Sequence, residues 1–175
     1  MDLGPTLLHL AGISIPEGIE GTPFLGKDIS LEQLNDRDEV YGYGDRFDEL
    51  YAFNRTVRKG KFKYSRNFQP YHPKSLYAFY RYKQAAFREW KDLYVKGILN
   101  ETQRRFFEPQ GAEELYDLSL DPYETKNLAT DPAYRSTLKD LRILLKEKLL
   151  EENDLGFYPE CVWLEQGEQN PTSFG

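Results

Sequence analysis

Apolar residues fall in short bursts along this chain, and the period changes from burst to burst. Pro5 to Ala11 reads as a short helix. Pro5 suits the first helical turn, Leu7, Leu8 and Leu10 supply an apolar face, and Gly12 suits the stop. Residues Gly12 to Gly26 hold four glycines and two prolines and read as loop. After a charged turn at Asp36–Glu39, Val40–Tyr43 reads as a short strand. The pattern then switches to period two. Tyr51, Phe53, Arg55 and Val57 alternate with Ala52, Asn54 and Thr56, and Phe62, Tyr64, Arg66 and Phe68 alternate with Lys63 and Ser65. With Arg58-Lys59-Gly60-Lys61 between them, the two runs predict a β-hairpin over Leu50–Val57 and Phe62–Phe68.

Pro70 and Pro73 then constrain a loop around His72. From Lys83 to about Leu99, the spacing of Ala86, Trp90, Leu93, Tyr94 and Gly97 predicts an amphipathic helix. Leu115–Leu118 reads as another strand, closed by Asp121-Pro122. A long helix follows: Asp131 caps it, Pro132 takes its first position, and Leu138, Leu141, Leu145 and Leu149 form its stripe as far as about Glu152. From Asp154 on there is no periodicity, which predicts a tail of loop. This order predicts an α+β fold: a small antiparallel sheet of about four strands packed against the long C-terminal helix, with additional short helices.

Composition narrows the class without changing that picture. At 175 residues the chain has one domain's worth of length. It is poor in aliphatic core formers, and 15% aromatics compensate, since each ring buries a large area. A mean hydropathy of −0.71 and the lack of a long apolar run argue against a membrane span and predict no membrane partner. A single cysteine, Cys161, excludes an internal disulfide framework and a multi-cysteine zinc site, and reads as a half-buried small hydrophobe. The start shows no signal-peptide pattern.

Charge changes the picture more. The net charge is −6, yet Leu50 to Arg88 contains no Asp or Glu and ten Lys or Arg. Eleven aromatics share that block. Three readings compete: a hairpin with a solvated basic face, a surface for an anionic ligand such as a sulfated sugar, or a single-stranded nucleic-acid platform. The acidic remainder of the chain and the lack of a nucleic-acid-binding spacing argue against the third.

No self-sufficient active site assembles from these residues. His9 lies between leucines and reads as a helix-face residue; His72, in a rigid loop beside the basic block, is the better ligand candidate. The carboxylates at Asp36, Asp38, Glu39 and at Asp45, Asp48, Glu49 read as turn caps and surface pairs before metal ligands. No glycine-rich phosphate loop is present.

Three stretches carry a resemblance. Asp2-Leu3-Gly4-Pro5-Thr6-Leu7-Leu8-His9-Leu10-Ala11-Gly12-Ile13, followed by its Pro/Gly loop, resembles a helix of the type I sulfatases, in the alkaline phosphatase superfamily. Glu114-Leu115-Tyr116-Asp117-Leu118 through Asp121-Pro122 to Asn127-Leu128 is similar to that family's C-terminal segment. Between them, Asp45-Arg46-Phe47-Asp48-Glu49 and Arg55-Thr56-Val57-Arg58 through Asn67-Phe68 resemble a segment of bacterial sulfatases, including relatives of heparan N-sulfatase. The resemblance covers only the family's C-terminal part. It implies residues 1–35 as a remnant of the large domain's last helix and linker, 36–153 as the C-terminal subdomain, and 154–175 as an irregular tail. Formylglycine and calcium are then expected in a missing N-terminal domain, with no cofactor in this chain. Cys161-Val162-Trp163 lacks the Pro and Arg of the Cys/Ser-x-Pro-x-Arg motif, and Ser14-Ile15-Pro16-Glu17-Gly18 puts Gly where Arg is required.

The function so implied is one wall of the substrate cleft of a sulfuric ester or sulfamate hydrolase acting on a sulfated glycan. This chain alone is then expected to be inactive, and the whole enzyme periplasmic or secreted. Asp45, Arg46, Arg58, Lys61 and His72 are the expected substrate contacts, and no residue here is expected to be catalytic. Leu7, Leu8 and Leu10, separated from their native neighbours, would need new cover or would support self-association. The alternatives are a stand-alone module binding anionic polysaccharide, or a fragment of a related phosphonate or phosphate monoester hydrolase.

Overall fold

The computed structural model describes residues 2–47, 49–152, 154–159, 161–162 and 164–165. The chain divides into two compact units, Met1–Glu39 and Val40–Gly175. In the first, α1 (Leu3–Leu10) precedes a glycine-rich loop and α2 (Leu31–Asn35). The loop is tied by side chains. Thr6, fully buried, donates to the Asp2 carbonyl at 2.6 Å and accepts from the Phe24 amide at 3.1 Å. Arg37 donates to the carbonyls of Thr22 and Pro23, and His9 Nε2 meets Asp28 Oδ1 at 2.8 Å. Leu3, Leu7 and Leu10 all lie exposed. At spacings of four and three they share one helix face.

In the second unit, β1 (Glu39–Phe47), β2 (Leu50–Lys59), β3 (Phe62–Asn67) and β4 (Glu113–Asp117) form an antiparallel sheet in the order β1-β2-β3-β4. The expected hairpin is present, with Val57 opposite Tyr64 and Lys59 opposite Phe62. Gly60 supplies the positive φ (56°) that the tight turn requires. β4 is reached only after an excursion of 45 residues, 68 to 112, yet it pairs with β3 in charge-matched register, Arg66 opposite Glu113.

The long helix α6 (Arg135–Glu151) covers one face of this sheet. Its Leu138, Leu141 and Leu145 bury against Val57, Tyr64, Leu115 and Leu128, as the leucine stripe predicts; Leu149 is only partly buried. Asp131 caps the entry, accepting from the Ala133 amide at 2.9 Å, and Pro132–Tyr134 forms a 3₁₀ turn ahead of the α-helix.

The structure departs from expectation in three places. The helix expected from Lys83 to about Leu99 is α4 (Ala85–Val95), and a short helix not expected from the sequence, α3 (Phe79–Lys83), precedes it across an extended Gln84 (ψ 121°). That break turns Phe87 inward and leaves Ala86 exposed. A further helix, α5 (Glu101–Arg104), is opened by a capping box between Asn100 and Gln103; Ser30 and Gln33 make the same box at the start of α2. Cys161 is exposed, not half-buried.

Candidate functional site

Strand alternation sorts the basic block onto both faces of the sheet. Arg55 and Val57 point to the α6 side, and there Arg55 is 0% exposed. A buried guanidinium needs carboxylates, and it has two. Nη1 donates to Asp45 Oδ1 of β1 at 2.6 Å, while Nε and Nη2 grip both oxygens of Asp154. The Tyr41 hydroxyl also donates to Asp154, at 2.8 Å. Rings enclose the group: Arg55 Cζ lies 5.0 Å from the Phe53 centroid and 5.4 Å from Phe157. Phe68 closes the set, 4.8 Å from Phe53 and 4.9 Å from Phe157. Gly156 lies so close to Arg55 that any Cβ there would collide with the guanidinium.

The electrostatics follow. Arg55 holds Asp154 well below the usual carboxylate range, against the opposing effect of burial, with Tyr41 assisting. Burial alone would weaken the charge on Arg55, but the bonds from Asp154 and Asp45 outweigh it. Burial, then Asp154, pushes the Tyr41 phenol up.

The remaining cations of the hairpin are largely paired as well. Lys61 reaches Asp117 at 2.8 Å, Lys63 reaches Glu124 at 2.6 Å, and Arg66 lies 3.8 Å from Glu113. Glu113 also accepts from Arg142 of α6 at 2.7 Å and from the Tyr64 hydroxyl. That pairing with Arg142 is the main reason its carboxyl titrates low. The acids that the block lacks come from β1, β4, the loop after β4 and the segment after α6.

Of the five expected contacts, Asp45 and Arg46 sit in β1 near its turn into β2, and the excursion carrying His72 leaves β3 from that same end of the sheet. Arg46 is exposed; His72 is half-buried, its ring 4.5 Å from that of Tyr71. Glu49 accepts from the Phe79 amide and so ties the β1–β2 turn to the start of α3. Asp48 lies outside the described residues. Arg58, opposite Lys63 near the end of β2, and Lys61, in the β2–β3 turn, lie toward the other end of the hairpin. Asp45 and Arg46 are thus neighbours in β1, and His72 lies beyond β3, with its carbonyl bonded by Gln110 and Pro73 beside it bridged to Pro109. Sequence reasoning missed the central residue, Arg55. The one available signal was Asp154-Leu155-Gly156, an acid and a glycine directly after a long helix.

Among the described residues, no group of three or more His, Cys, Asp or Glu is placed to hold a metal ion. The residues present fit neither a calcium cage nor a formylglycine motif. No helix among them is long and apolar enough to cross a membrane.

No protein-family model matches the chain. It is 36% identical over 179 residues to an ulvan-active sulfatase of Formosa agariphila, a match covering 99% of this chain and 29% of that one. It is 30% identical over 157 residues to a Delta 4,5-hexuronate-2-O-sulfatase of Bacteroides thetaiotaomicron, covering 88% and 24%. A solved 2-O GAG sulfatase shares the fold, with TM-score 0.52 and 24% identity over 88% of this chain and 25% of that one. The chain thus spans less than a third of the length of the relatives it matches.

Proposed function

We propose that this chain, which is homologous to the C-terminal part of sulfatases, forms one wall of the substrate cleft of an enzyme that hydrolyses sulfate from a sulfated glycan of the ulvan or glycosaminoglycan class. The observation that carries the reading is the 36% identity to an ulvan-active sulfatase along essentially the whole chain. The wall is the end of the sheet where β1 turns and the excursion departs. There Arg46 pairs with a sulfate or carboxylate of the sugar, His72 donates to a sulfate oxygen, and Asp45, 38% exposed, accepts sugar hydroxyls while Arg55 fixes its orientation. Arg58 and Lys61 lie too far off to serve the same sugar unit and meet sulfates further along the polymer. The nucleophile and calcium expected of a sulfatase belong to the rest of the enzyme. The exposed face of Leu3, Leu7 and Leu10 supports residues 1–35 as the end of that larger domain, and in the chain alone it is the seam through which copies would associate. A polymeric substrate of this kind places the whole enzyme in the periplasm or outside the cell.

Two measurements test the reading. An aryl-sulfate assay with added calcium should show no turnover by this chain alone; turnover would overturn the division of labour. Substituted for the corresponding part of the ulvan-active sulfatase, the chain should support ulvan desulfation. In that chimaera Arg46→Ala and His72→Ala should each lower kcat/KM about tenfold. Unchanged kinetics in both would remove the wall from the substrate.

A further inference from the structure

The guanidinium of Arg55 ties the wall to the segment after α6. It is a planar, rigid fork, so fixing some of its nitrogens fixes the direction of the others. Nε and Nη2 are taken by the two oxygens of Asp154. Nη1 is thereby aimed at Asp45 Oδ1 and at the Asn54 carbonyl, 2.8 Å away. Exposure rises along this set, from 0% at the Arg55 side chain through 11% at Asp154 to 38% at Asp45. The cluster therefore meets solvent through Asp45, with Asp154 set behind it.

The segment that brings Asp154 is itself held. Asp154 opens a 3₁₀ turn, Leu155–Phe157, and accepts from the Gly156 amide at 3.0 Å and from the Tyr41 hydroxyl at 2.8 Å. Phe157 then packs on Phe53 of β2 at 5.0 Å and on Phe68 at 4.9 Å. Gly156 shows how closely the turn approaches. A Cβ there would collide with Arg55 Nη2 and lie 3.1 Å from Asp45 Oδ1. Its φ is not in the left-handed region, so the need for glycine is one of space.

We infer that Asp154 and Gly156 are positioning residues of the sugar site: their turn sets the Arg55 fork, and through it holds the Asp45 carboxylate in the orientation that accepts sugar hydroxyls. The contact between Asp45 and the sugar rests on the function proposed above. Ordering that would otherwise be needed when the sugar arrives is done in advance by folding. Without the charge on Asp154, the guanidinium's demand shifts to Asp45, whose oxygens are then less available to a hydroxyl. With a methyl group at position 156, the fork is displaced while every charge is kept. The two changes disturb Asp45 by different means and share one expected outcome.

The test is an NMR titration of this chain with ulvan oligosaccharides. The Asp45 amide reads the dissociation constant, and Arg55 Nε–H, which bonds Asp154 and not Asp45, reads the coupling. In the wild type both signals should move together. Asp45→Ala should weaken binding about tenfold, and Asp154→Asn and Gly156→Ala about threefold to fivefold each. Asp154→Asn added to Asp45→Ala should weaken it no further, because its effect runs through the missing carboxylate. Leu115→Ala, in the core beneath α6, should lower the melting temperature at least as much as Asp154→Asn yet bind as the wild type does. Equal loss of binding in Leu115→Ala and Asp154→Asn would make Asp154 a stability residue and overturn its positioning role. Wild-type affinity in both Asp154→Asn and Gly156→Ala, with Asp45→Ala weakened, overturns the role and leaves the wall standing; if Gly156→Ala does not fold, Asp154→Asn decides alone. An unmoved Asp45 amide in the wild type, or wild-type affinity in Asp45→Ala, takes away the Asp45 contact and the positioning role with it.

Discussion

The two faces of the sheet are built from the same strands and solve different problems. On the α6 side, Val57, Tyr64 and Leu115 meet Leu138, Leu141 and Leu145, and the buried cation on this side, Arg55, is sealed by two carboxylates and three rings. On the other side Thr56, Lys63, Ser65, Glu114 and Tyr116 stay polar. Thr56 and Ser65 bond each other at 2.8 Å, and Lys63 and Tyr116 are met by a loop and an arginine instead of a leucine stripe. The first face is closed and committed to stability; the second is polar and borders a groove. A buried ion pair adds little net stability but makes removal of either partner expensive, so charge on the closed face works as a lock and charge on the open face as a surface.

Breaking the lock should have the largest effect. Arg55→Ala leaves Asp45, Asp154 and Tyr41 around an empty site and should cost about 4 kcal/mol, read from urea unfolding. Leu115→Ala, at the centre of the same face, should cost about 3 kcal/mol by opening a cavity. Asp154→Asn keeps the shape and removes one charge, for about 2 kcal/mol at pH 7. Because the folded-state pKa of Asp154 is depressed, its contribution is complete above the unfolded value near 4 and is lost as pH falls through the lowered one. The gap between wild type and Asp154→Asn should therefore hold steady from pH 7 to 5 and shrink below about pH 4. Smallest should be Lys63→Ala on the open face, at about 0.5 kcal/mol, since its pair with Glu124 is partly solvated. A Lys63→Ala penalty equal to that of Arg55→Ala would erase the distinction between the faces.

Local pattern made much of this fold legible. The hairpin alternation and the leucine stripe each repeat often enough to specify an element and its buried side. What stayed hidden was short or distant. The α2 and α5 capping boxes span only four residues each, Ser30 to Gln33 and Asn100 to Gln103, and neither is followed by an apolar run long enough to draw notice. On α4 the buried side keeps the expected Trp90, Leu93 and Tyr94 but adds Phe87 in place of Ala86, which a count of apolar spacing alone did not single out. The candidate site was half legible. The resemblance pointed to Asp45 and Arg46, the Pro-constrained loop to His72 and charge counting to Arg58 and Lys61, and the strand direction takes the last two away from β1's turn. Nothing local marks Arg55 as buried, because its decisive partner is 99 residues further along the chain.

That separation also bears on how the molecule is made. While a ribosome is still extending the chain, β1, β2 and β3 can pair, yet a guanidinium faces inward with a single acid beside it and no lid. Only when the aspartate far downstream emerges does the arginine find its second counter-ion, so the newborn hairpin must wait, half-finished and dependent on solvent, for synthesis to catch up.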